Sequence, residues 1–221
     1  MVVKAEFMKT LAILAQKGGS GKTTLAVHMA VCATRKNLSI ALIDIDPQAS
    51  AHKWNESRPD DRKLDATMAE AGQLSGFLKQ ARAGGIDLVI IDTAPHSDSA
   101  AAIAAQLADF VLIPCRPARF DLDAIMSTVQ IIKLSKTPGA VVINAAPRGK
   151  LAEEARAALK HQGIAVMDTV IHHRAAYSHA VIDGRSVHEY EPNGTAAAEI
   201  DELYNQITGL FGDIKKKGKK S

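Results

Sequence analysis

Short apolar runs alternate with longer segments of helical periodicity along most of this chain. The runs are Thr10–Ala15, Ser39–Ile45, Asp87–Asp92, Phe110–Cys115, Ala140–Asn144 and Ile164–Met167. None of them shows the strict alternation of polar and apolar residues that is typical of a strand with one wet face. Continuous apolar strands separated by helices are typical of a parallel sheet that is covered on both faces.

The segments between these runs carry apolar residues at helical spacing. We expect helices at Gly21–Arg35, Ala69–Ala83, Ser97–Leu107, Leu122–Leu134, Lys150–Gln162 and Gly194–Phe211. The polar segment Asn55–Asp61 is predicted to be a surface loop, and no linker rich in Pro, Gly or Ser divides the chain. The pattern predicts one doubly wound, mainly parallel α/β domain over residues 1–214, with ligands beyond the carboxyl ends of the strands.

The composition excludes several classes of protein. Hydrophobic residues make up 47% of the 221 residues and charged residues 23%, which excludes a disordered or collagen-like chain. The two cysteines, Cys32 and Cys115, show no metal-ligand spacing and suit a reducing cytosol. The first residues lack the apolar run of a signal peptide, and no stretch approaches the roughly 18 apolar residues of a membrane span. We therefore expect a cytoplasmic protein.

The positive charge of the chain is concentrated at its end. The formal net charge is +3, and the five lysines of the tail, residues 215–221, contribute more than this, so residues 1–214 are slightly acidic. Any argument for nucleic-acid binding from overall charge therefore depends on this basic tail, whose candidate DNA contacts are Lys215, Lys216 and Lys217.

The most informative motif is a glycine-rich segment between the first predicted strand and the first predicted helix, with the sequence KGGSGKTT. Its glycines allow backbone N–H groups to surround phosphate oxygens, and the helix N-terminus adds the positive end of its dipole. Lys22 is placed to reach the β- and γ-phosphates, and the Thr23 hydroxyl is placed to ligate Mg²⁺. The predicted nucleotide-binding residues are Gly18, Gly19, Ser20, Gly21, Lys22, Thr23 and Thr24.

The segment departs from the strict phosphate-loop pattern. Gln16 occupies the position of the first glycine, and a second lysine, Lys17, precedes the glycines. This form resembles the deviant Walker A motif of the ParA/MinD family of P-loop ATPases. The similarity extends over nearly the whole chain and is greatest to small plasmid partition ParA proteins of the ParF type.

This resemblance implies a homodimer that closes around ATP. In that family the extra lysine, here Lys17, crosses to the phosphates bound by the other subunit. A second cation offsets the charge that develops on the phosphates during transfer, as an arginine finger does in other enzymes. The predicted catalytic residues are Lys17, Lys22 and Asp46, and the predicted activity is Mg²⁺-dependent hydrolysis of ATP.

Carboxylates end two of the predicted strands. Asp44 and Asp46 lie on the same side of the second strand, before Pro47. The segment resembles the DxDPQ segment of the family, which implies that Asp46 activates the attacking water and Asp44 supports the magnesium shell. Turn capping is the alternative for this pair. Asp92 matches a Walker B carboxylate, which holds Mg²⁺ through water.

Two residues are candidates for holding the base. Asn144 closes the fifth predicted strand, where the family commonly recognises adenine with an asparagine. An asparagine at a strand end is equally ordinary turn chemistry. Pro192, in the loop before the last helix, is expected to wall the other side of the base.

The resemblance also implies a function in DNA partition. An ATP-bound dimer would hold non-specific DNA of the nucleoid through phosphate contacts. A centromere-binding adaptor of the ParB or ParG kind would then stimulate hydrolysis and release the dimer, which would segregate a plasmid or chromosome. Arg174 and Arg185 are the candidate DNA-facing residues outside the tail.

Two alternatives remain open. Related ATPases position protein assemblies such as carboxysomes or chemotaxis clusters with the same catalytic residues, because the partner chooses the cargo. A membrane-associated regulator of the MinD type is the second, since the last helix carries an apolar stripe before the lysines. We expect the stripe to pack on the sheet instead, because the polar face of the helix is acidic. Its residues are Ile200, Leu203, Tyr204, Ile207, Leu210, Phe211 and Ile214.

Overall fold

Strands and helices alternate along residues 8–211, the part of the chain that this computed structural model describes. The strands are β1 (Lys9–Ile13), β2 (Ile40–Asp44), β3 (Asp65–Met68), β4 (Leu88–Asp92), β5 (Phe110–Cys115), β6 (Gly139–Ala146) and β7 (Val166–His172). The helices are α1 (Lys22–Arg35), α2 (Ser50–Glu56), α3 (Leu74–Ala83), α4 (Asp98–Leu107), α5 (Arg119–Ser135), α6 (Leu151–His161), α7 (Ala175–Ile182), α8 (Val187–Tyr190) and α9 (Thr195–Leu210).

The strands form one parallel sheet in the order β3-β2-β4-β1-β5-β6-β7. The chain leaves β1 toward one edge of the sheet and later crosses to the other side through β5. Such a reversal opens a crevice beyond the carboxyl end of the central strand, where doubly wound sheets bind ligands. The doubly wound α/β fold predicted from the sequence is confirmed.

Helices cover both faces of the sheet over two separate apolar cores. One core joins the sheet to α1, α2, α7, α8 and α9, and the other joins it to α3, α4, α5 and α6. Every residue of β2, β4 and β5 is buried, which explains their uninterrupted apolar sequences.

The sequence prediction is wrong at the two edges of the sheet. The edge strand β3 was not predicted, because its four residues are partly or fully exposed and two of them are polar. The other edge strand, β7, runs over Val166–His172 rather than Ile164–Met167, and its side chains alternate in burial. The short helices α2, α7 and α8 were also missed, and α2 extends into the predicted loop Asn55–Asp61.

The apolar stripe of α9 packs inside the protein, as predicted. Ile200, Leu203 and Ile207 are completely buried, so they cannot insert into a membrane from this position. Leu210 is exposed, and Ile214 and the basic tail with Lys215, Lys216 and Lys217 lie outside the described residues. Within residues 8–211 we find no helix of the length and hydrophobicity that crossing a bilayer requires.

Candidate functional site

The glycine-rich loop connects the carboxyl end of β1 to the first turn of α1. Gly19 and Gly21 have φ angles of +70° and +96°, a region that favours glycine. A β-carbon on Gly21 would also overlap Asn144 Nδ2. Among residues 8–211 no side chain caps α1 and no acidic residue lies in its first turn. The first N–H groups of the helix therefore face the loop without a competing anion, which suits phosphate binding.

Lys22 and Asp92, which carry opposite charges, are both buried beneath this loop. Asp92 is completely buried, and neither of its carboxylate oxygens has a hydrogen-bond partner in the described part of the chain. Burial raises the pKa of Asp92 to about 7, opposed by the neighbouring Thr23 hydroxyl and Lys22 ammonium. Burial likewise lowers the pKa of Lys22, opposed by Asp92 and Asp46.

This unsatisfied carboxylate fits a divalent cation. A buried carboxylate without hydrogen bonds is costly unless a cation compensates it, and oxygen ligands are those that Mg²⁺ prefers. Thr23 lies in the first turn of α1 with its hydroxyl beside Asp92. Two residues predicted from the sequence, Thr23 and Asp92, are thus brought together at one point of the site.

Asp44 and Asp46 organise the turn that follows β2. The Asp44 carboxylate accepts hydrogen bonds from the backbone N–H groups of Asp46 at 3.0 Å, Ala51 at 2.9 Å and His52 at 3.1 Å. Burial raises the pKa of Asp44, and these three bonds oppose it. The structure thus gives Asp44 the turn-capping role that was the alternative, and a place in the magnesium shell stays a prediction.

Asp46 is more open to solvent than Asp44. It accepts a hydrogen bond from the backbone N–H of Gln48 at 2.9 Å. It borders a cavity of about 920 Å³ at the carboxyl ends of β2 and β4. The side chain has room for a water molecule beside it, and its predicted catalytic role is compatible with this place.

Lys17 is folded back onto its own chain. Its ammonium lies 2.7 Å from Asp121 Oδ2, in the first turn of α5. The side chain of Lys17 is 40% exposed and that of Asp121 only 11%. The predicted contact with a second subunit therefore requires this ion pair to open. The sequence assigned no role to Asp121, because the two residues are brought together only by the fold.

Gln16 joins the loop to two other elements. Its backbone N–H donates to Thr128 Oγ1 of α5 at 3.4 Å, and its side-chain amide donates to Asp98 Oδ1 of α4 at 2.6 Å. Its carbonyl accepts from the backbone N–H of His96 at 3.2 Å. A glycine here would lose the side-chain hydrogen bond to Asp98.

Asn144 supports the loop from beneath. Its side-chain amide donates to the carbonyl of Ser20 at 2.6 Å, and the residue is buried. A cavity of about 510 Å³ opens beside it, lined also by Gly21, Arg116 and Tyr177. This cavity is the candidate base site. Pro192 does not line it in the described structure, and the roles of Asn144 and Pro192 toward the base stay predictions.

Glu199 of α9 gathers three side chains at the edge of this cavity. Its carboxylate accepts from Arg174 Nη2 at 2.7 Å and from the Tyr177 hydroxyl at 3.1 Å, and it lies 2.7 Å from His172 Nδ1. The carboxylate raises the pKa of Arg174. Arg174, a predicted DNA contact, is thus paired with an acid on its own chain.

Arg185, the other predicted DNA contact, lies between α7 and α8. It pairs with Asp183 and stacks over the Tyr190 ring at 4.9 Å. Contacts of either arginine with DNA stay predictions. The sequence missed Arg116, Asp121 and Glu199, and only the position of Arg116, directly after β5, could have indicated a place in the site.

Three non-glycine residues with left-handed backbone lie at this same edge of the sheet. Ala49, His96 and Ala145 have φ angles of +52°, +55° and +49°. Ala49 and His96 follow β2 and β4, and Ala145 is the last residue but one of β6. Such conformations cost on the order of 1–3 kcal/mol each and concentrate at functional sites, which agrees with the crevice as the working end of the molecule.

Comparison with known proteins gives a family match across most of the chain. Residues 11–187 match the sequence model of the CobQ/CobB/MinD/ParA nucleotide binding domain. Maintenance of carboxysome distribution protein A from Halothiobacillus neapolitanus is 31% identical over 210 residues, covering 90% of this chain and 95% of that protein. The protein of the same name from Gloeobacter kilaueensis is 33% identical over 201 residues, covering 89% and 92%.

More distant similarity extends to a chromosome-partitioning ATPase and to a solved structure. The ATPase Soj of Thermus thermophilus is 24% identical over 239 residues, covering 90% of this chain and 95% of that protein. The septum site-determining protein MinD of Pyrococcus horikoshii, complexed with Mg-ADP, has a TM-score of 0.76 at 16% identity, covering 95% of this chain and 100% of that chain. The structural match supports the fold alone.

Proposed function

Because this chain belongs to the CobQ/CobB/MinD/ParA family of nucleotide-binding proteins, we propose that it is a ParA-type ATPase that positions a protein cargo such as a carboxysome. The observation that carries the choice of cargo is the pair of carboxysome distribution proteins that are 31% and 33% identical along most of the chain. The partition ATPase Soj is only 24% identical. Protein cargo, the alternative in the sequence analysis, is therefore favoured over plasmid or chromosome partition.

The hydrolytic chemistry is supported most strongly by the unsatisfied carboxylate of Asp92 beneath the loop. Thr23 and Asp92 would hold Mg²⁺, which neutralises charge on the phosphates during transfer. The loop N–H groups and Lys22 bind the phosphates. Asp46, beside an open cavity, orients the attacking water.

Dimer formation is proposed to depend on the ion pair between Lys17 and Asp121. In the single chain the Lys17 ammonium lies 2.7 Å from the carboxylate of Asp121 in the same chain. ATP bound to a second subunit offers a more highly charged partner. The exchange makes the dimer specific for the triphosphate, because only that state gains the contacts across the subunits.

The ATP-bound dimer is proposed to bind nucleoid DNA without sequence choice and to be released when a cargo-bound partner stimulates hydrolysis. Such binding depends on phosphate contacts and weakens steeply with salt. The buried stripe of α9 gives no support to the membrane-associated alternative.

The cycle is tested by measuring mass in solution with and without Mg-ATP, and then retention on non-specific DNA. We expect the wild-type chain to dimerise and bind DNA only with Mg-ATP, and Lys17→Ala to do neither. Lys79→Ala, an exposed lysine of α3, is the matched control and should behave as wild type. Equal DNA retention without nucleotide would contradict the proposal.

The cargo is tested by deleting the gene in its native host. Mislocalised protein assemblies with normal plasmid and chromosome inheritance are the expected result. Loss of a plasmid with correctly placed assemblies would favour the partition function instead. That result would not contradict the proposed ATP-dependent dimer, which is tested separately.

A further inference from the structure

Three metal-ligating side chains meet in a buried cluster that the nucleotide chemistry does not use. Cys32 of α1, His188 of α8 and Asp201 of α9 each offer one ligand atom, and these atoms lie within 4.8 Å of one another. Cys32 is 1% exposed and His188 is 3% exposed, whereas the Asp201 side chain is 43% exposed. The cluster is therefore closed by protein on two sides and open to solvent at the aspartate. Their spacing along the sequence does not indicate a metal site.

The distances within the cluster match those around a small tetrahedral ion. Cys32 Sγ lies 3.3 Å from Asp201 Oδ1, and His188 Nε2 lies 3.5 Å from Asp201 Oδ2. Ligands at about 2.0–2.3 Å from a tetrahedral zinc ion lie roughly 3.3–3.8 Å from each other. The two distances involve different oxygens of Asp201, so the carboxylate would bind the ion through both oxygens or turn toward it. The ligand atoms of Cys32 and His188 lie within 4.8 Å of each other.

A metal ion in the cluster would satisfy His188 Nε2, the ring nitrogen that faces Asp201. Neither ring nitrogen makes a hydrogen bond of ordinary geometry among residues 8–211. Nε2 lies 3.5 Å from Asp201 Oδ2, farther than in an ordinary hydrogen bond. Burial lowers the pKa of His188, and the Asp201 carboxylate opposes this effect. Buried polar groups nearly always find a partner, so an exception calls for an explanation such as an ion. The orphaned imidazole therefore points independently to a ligand in the cluster.

We propose that Cys32, His188 and Asp201 bind one zinc ion, with water in the fourth position on the exposed side. Thiolate, imidazole and carboxylate are all ordinary zinc ligands. On binding, the Cys32 thiol releases its proton to solvent and the sulfur coordinates as thiolate. The ion links α8 and α9 to α1, the helix that begins at the phosphate loop.

A neighbouring lysine competes with the ion. Lys36 Nζ lies 3.1 Å from Asp201 Oδ1 and 5.4 Å from the centre of the Tyr204 ring. An ammonium and a zinc ion cannot both approach this oxygen closely, because their charges repel each other. Removing the ammonium should therefore strengthen zinc binding, an effect that a purely structural role of the cluster does not produce.

The test uses the full, tag-free chain without nucleotide, with Co²⁺ as a spectroscopic probe and Zn²⁺ as competitor. We expect one equivalent of Co²⁺ to give thiolate charge-transfer and tetrahedral d–d bands that Zn²⁺ removes. Asp201→Asn should weaken binding at least about tenfold, Cys32→Ser should abolish the thiolate band, and Lys36→Met should tighten binding several-fold. Cys115→Ser and Glu202→Gln, changes at the other cysteine and at an exposed neighbour on α9, are the matched controls.

Two results would overturn the site. The first is the absence of a thiolate band in the folded wild-type chain at micromolar Co²⁺. The second is a Lys36→Met variant that binds no tighter than wild type together with an Asp201→Asn variant that binds equally well. Because Asp201 is half exposed, its substitution tests the site even if changing the buried Cys32 disturbs folding. The experiment is independent of ATP hydrolysis, so its failure leaves the proposed function untouched.

Discussion

At the carboxyl ends of the strands, two side chains have hydrogen-bonding or ion-pair arrangements that bound Mg-ATP is expected to change. Asp92 lacks hydrogen-bond partners in the described residues, and Lys17 is occupied by Asp121. Each of these arrangements can be tested by one substitution.

Asp121→Asn should free Lys17 for the second subunit. An ion pair that is partly exposed is worth roughly 0.2–1 kcal/mol. Two such pairs open in each homodimer, so we expect the ATP-dependent dimer to form at a protein concentration about two- to thirtyfold lower. Sedimentation in Mg-ATP measures this shift. Asp123→Asn, an exposed neighbour on α5, should leave the concentration unchanged, and a weaker dimer in Asp121→Asn would show that Asp121 acts in the dimer itself.

The stability of the metal-free protein should fall as pH rises toward 7. The pKa of Asp92 is raised from 3.8 to about 7, so the folded state holds this proton more tightly than the unfolded chain does. Its contribution is fully present below the unfolded pKa and is lost as pH rises through the folded pKa. Thermal unfolding should show Asp92→Asn gaining stability relative to wild type between pH 5 and pH 8, by a few kcal/mol at most. A difference that is constant over this range would contradict the account.

At the scale of elements, a buried ion pair fastens α8 to the segment after α2. Arg58 Nη2 lies 2.8 Å from Glu189 Oε1, its Nη1 donates to the carbonyl of Gly184 at 2.8 Å, and its guanidinium lies 4.6 Å from the centre of the Trp54 ring. Glu189 also accepts a hydrogen bond from the backbone N–H of Ser186. The short helix α8 thus depends on a residue far away in sequence.

Arg58→Ala should destabilise the fold by about 3–5 kcal/mol, because it leaves the Glu189 charge partly buried without its partner. Denaturant unfolding measures the loss. Lys63→Ala, which breaks exposed ion pairs with Glu56 and Asp60, should change the free energy of unfolding by less than about 1 kcal/mol. Equal effects of the two substitutions would show that the buried pair adds no stability of its own.

The parts that could be predicted from the sequence are those with contiguous signals. The loop from Lys17 to Thr24 and the buried strands have fixed spacings and continuous apolar runs, so the central sheet and its crevice follow from local patterns. The edge strands β3 and β7 carry polar residues, and α8 is only four residues long, so their local patterns are weak. Contacts such as that between Lys17 and Asp121 join residues that are far apart in the sequence. No local pattern predicts them.

At the scale of the whole molecule, nucleotide binding and assembly should be linked. If only the folded, ATP-bound chain dimerises, its melting temperature in Mg-ATP should rise with protein concentration, because association draws on the folded state. Calorimetry over a hundredfold range of concentration checks this. In Mg-ADP the melting temperature should not depend on protein concentration. The same dependence with both nucleotides would show that dimerisation does not require the γ-phosphate.

Gln16 departs from the consensus motif and makes a contact that the consensus glycine cannot make. Replacing it with glycine would restore the strict spelling of the motif, yet it would cut the side-chain bond to Asp98 that ties the loop to α4. The loop would then match the consensus sequence but would lose its side-chain hydrogen bond to α4. Engineers who transplant this loop into another scaffold should therefore carry its anchoring partner along with the glycines.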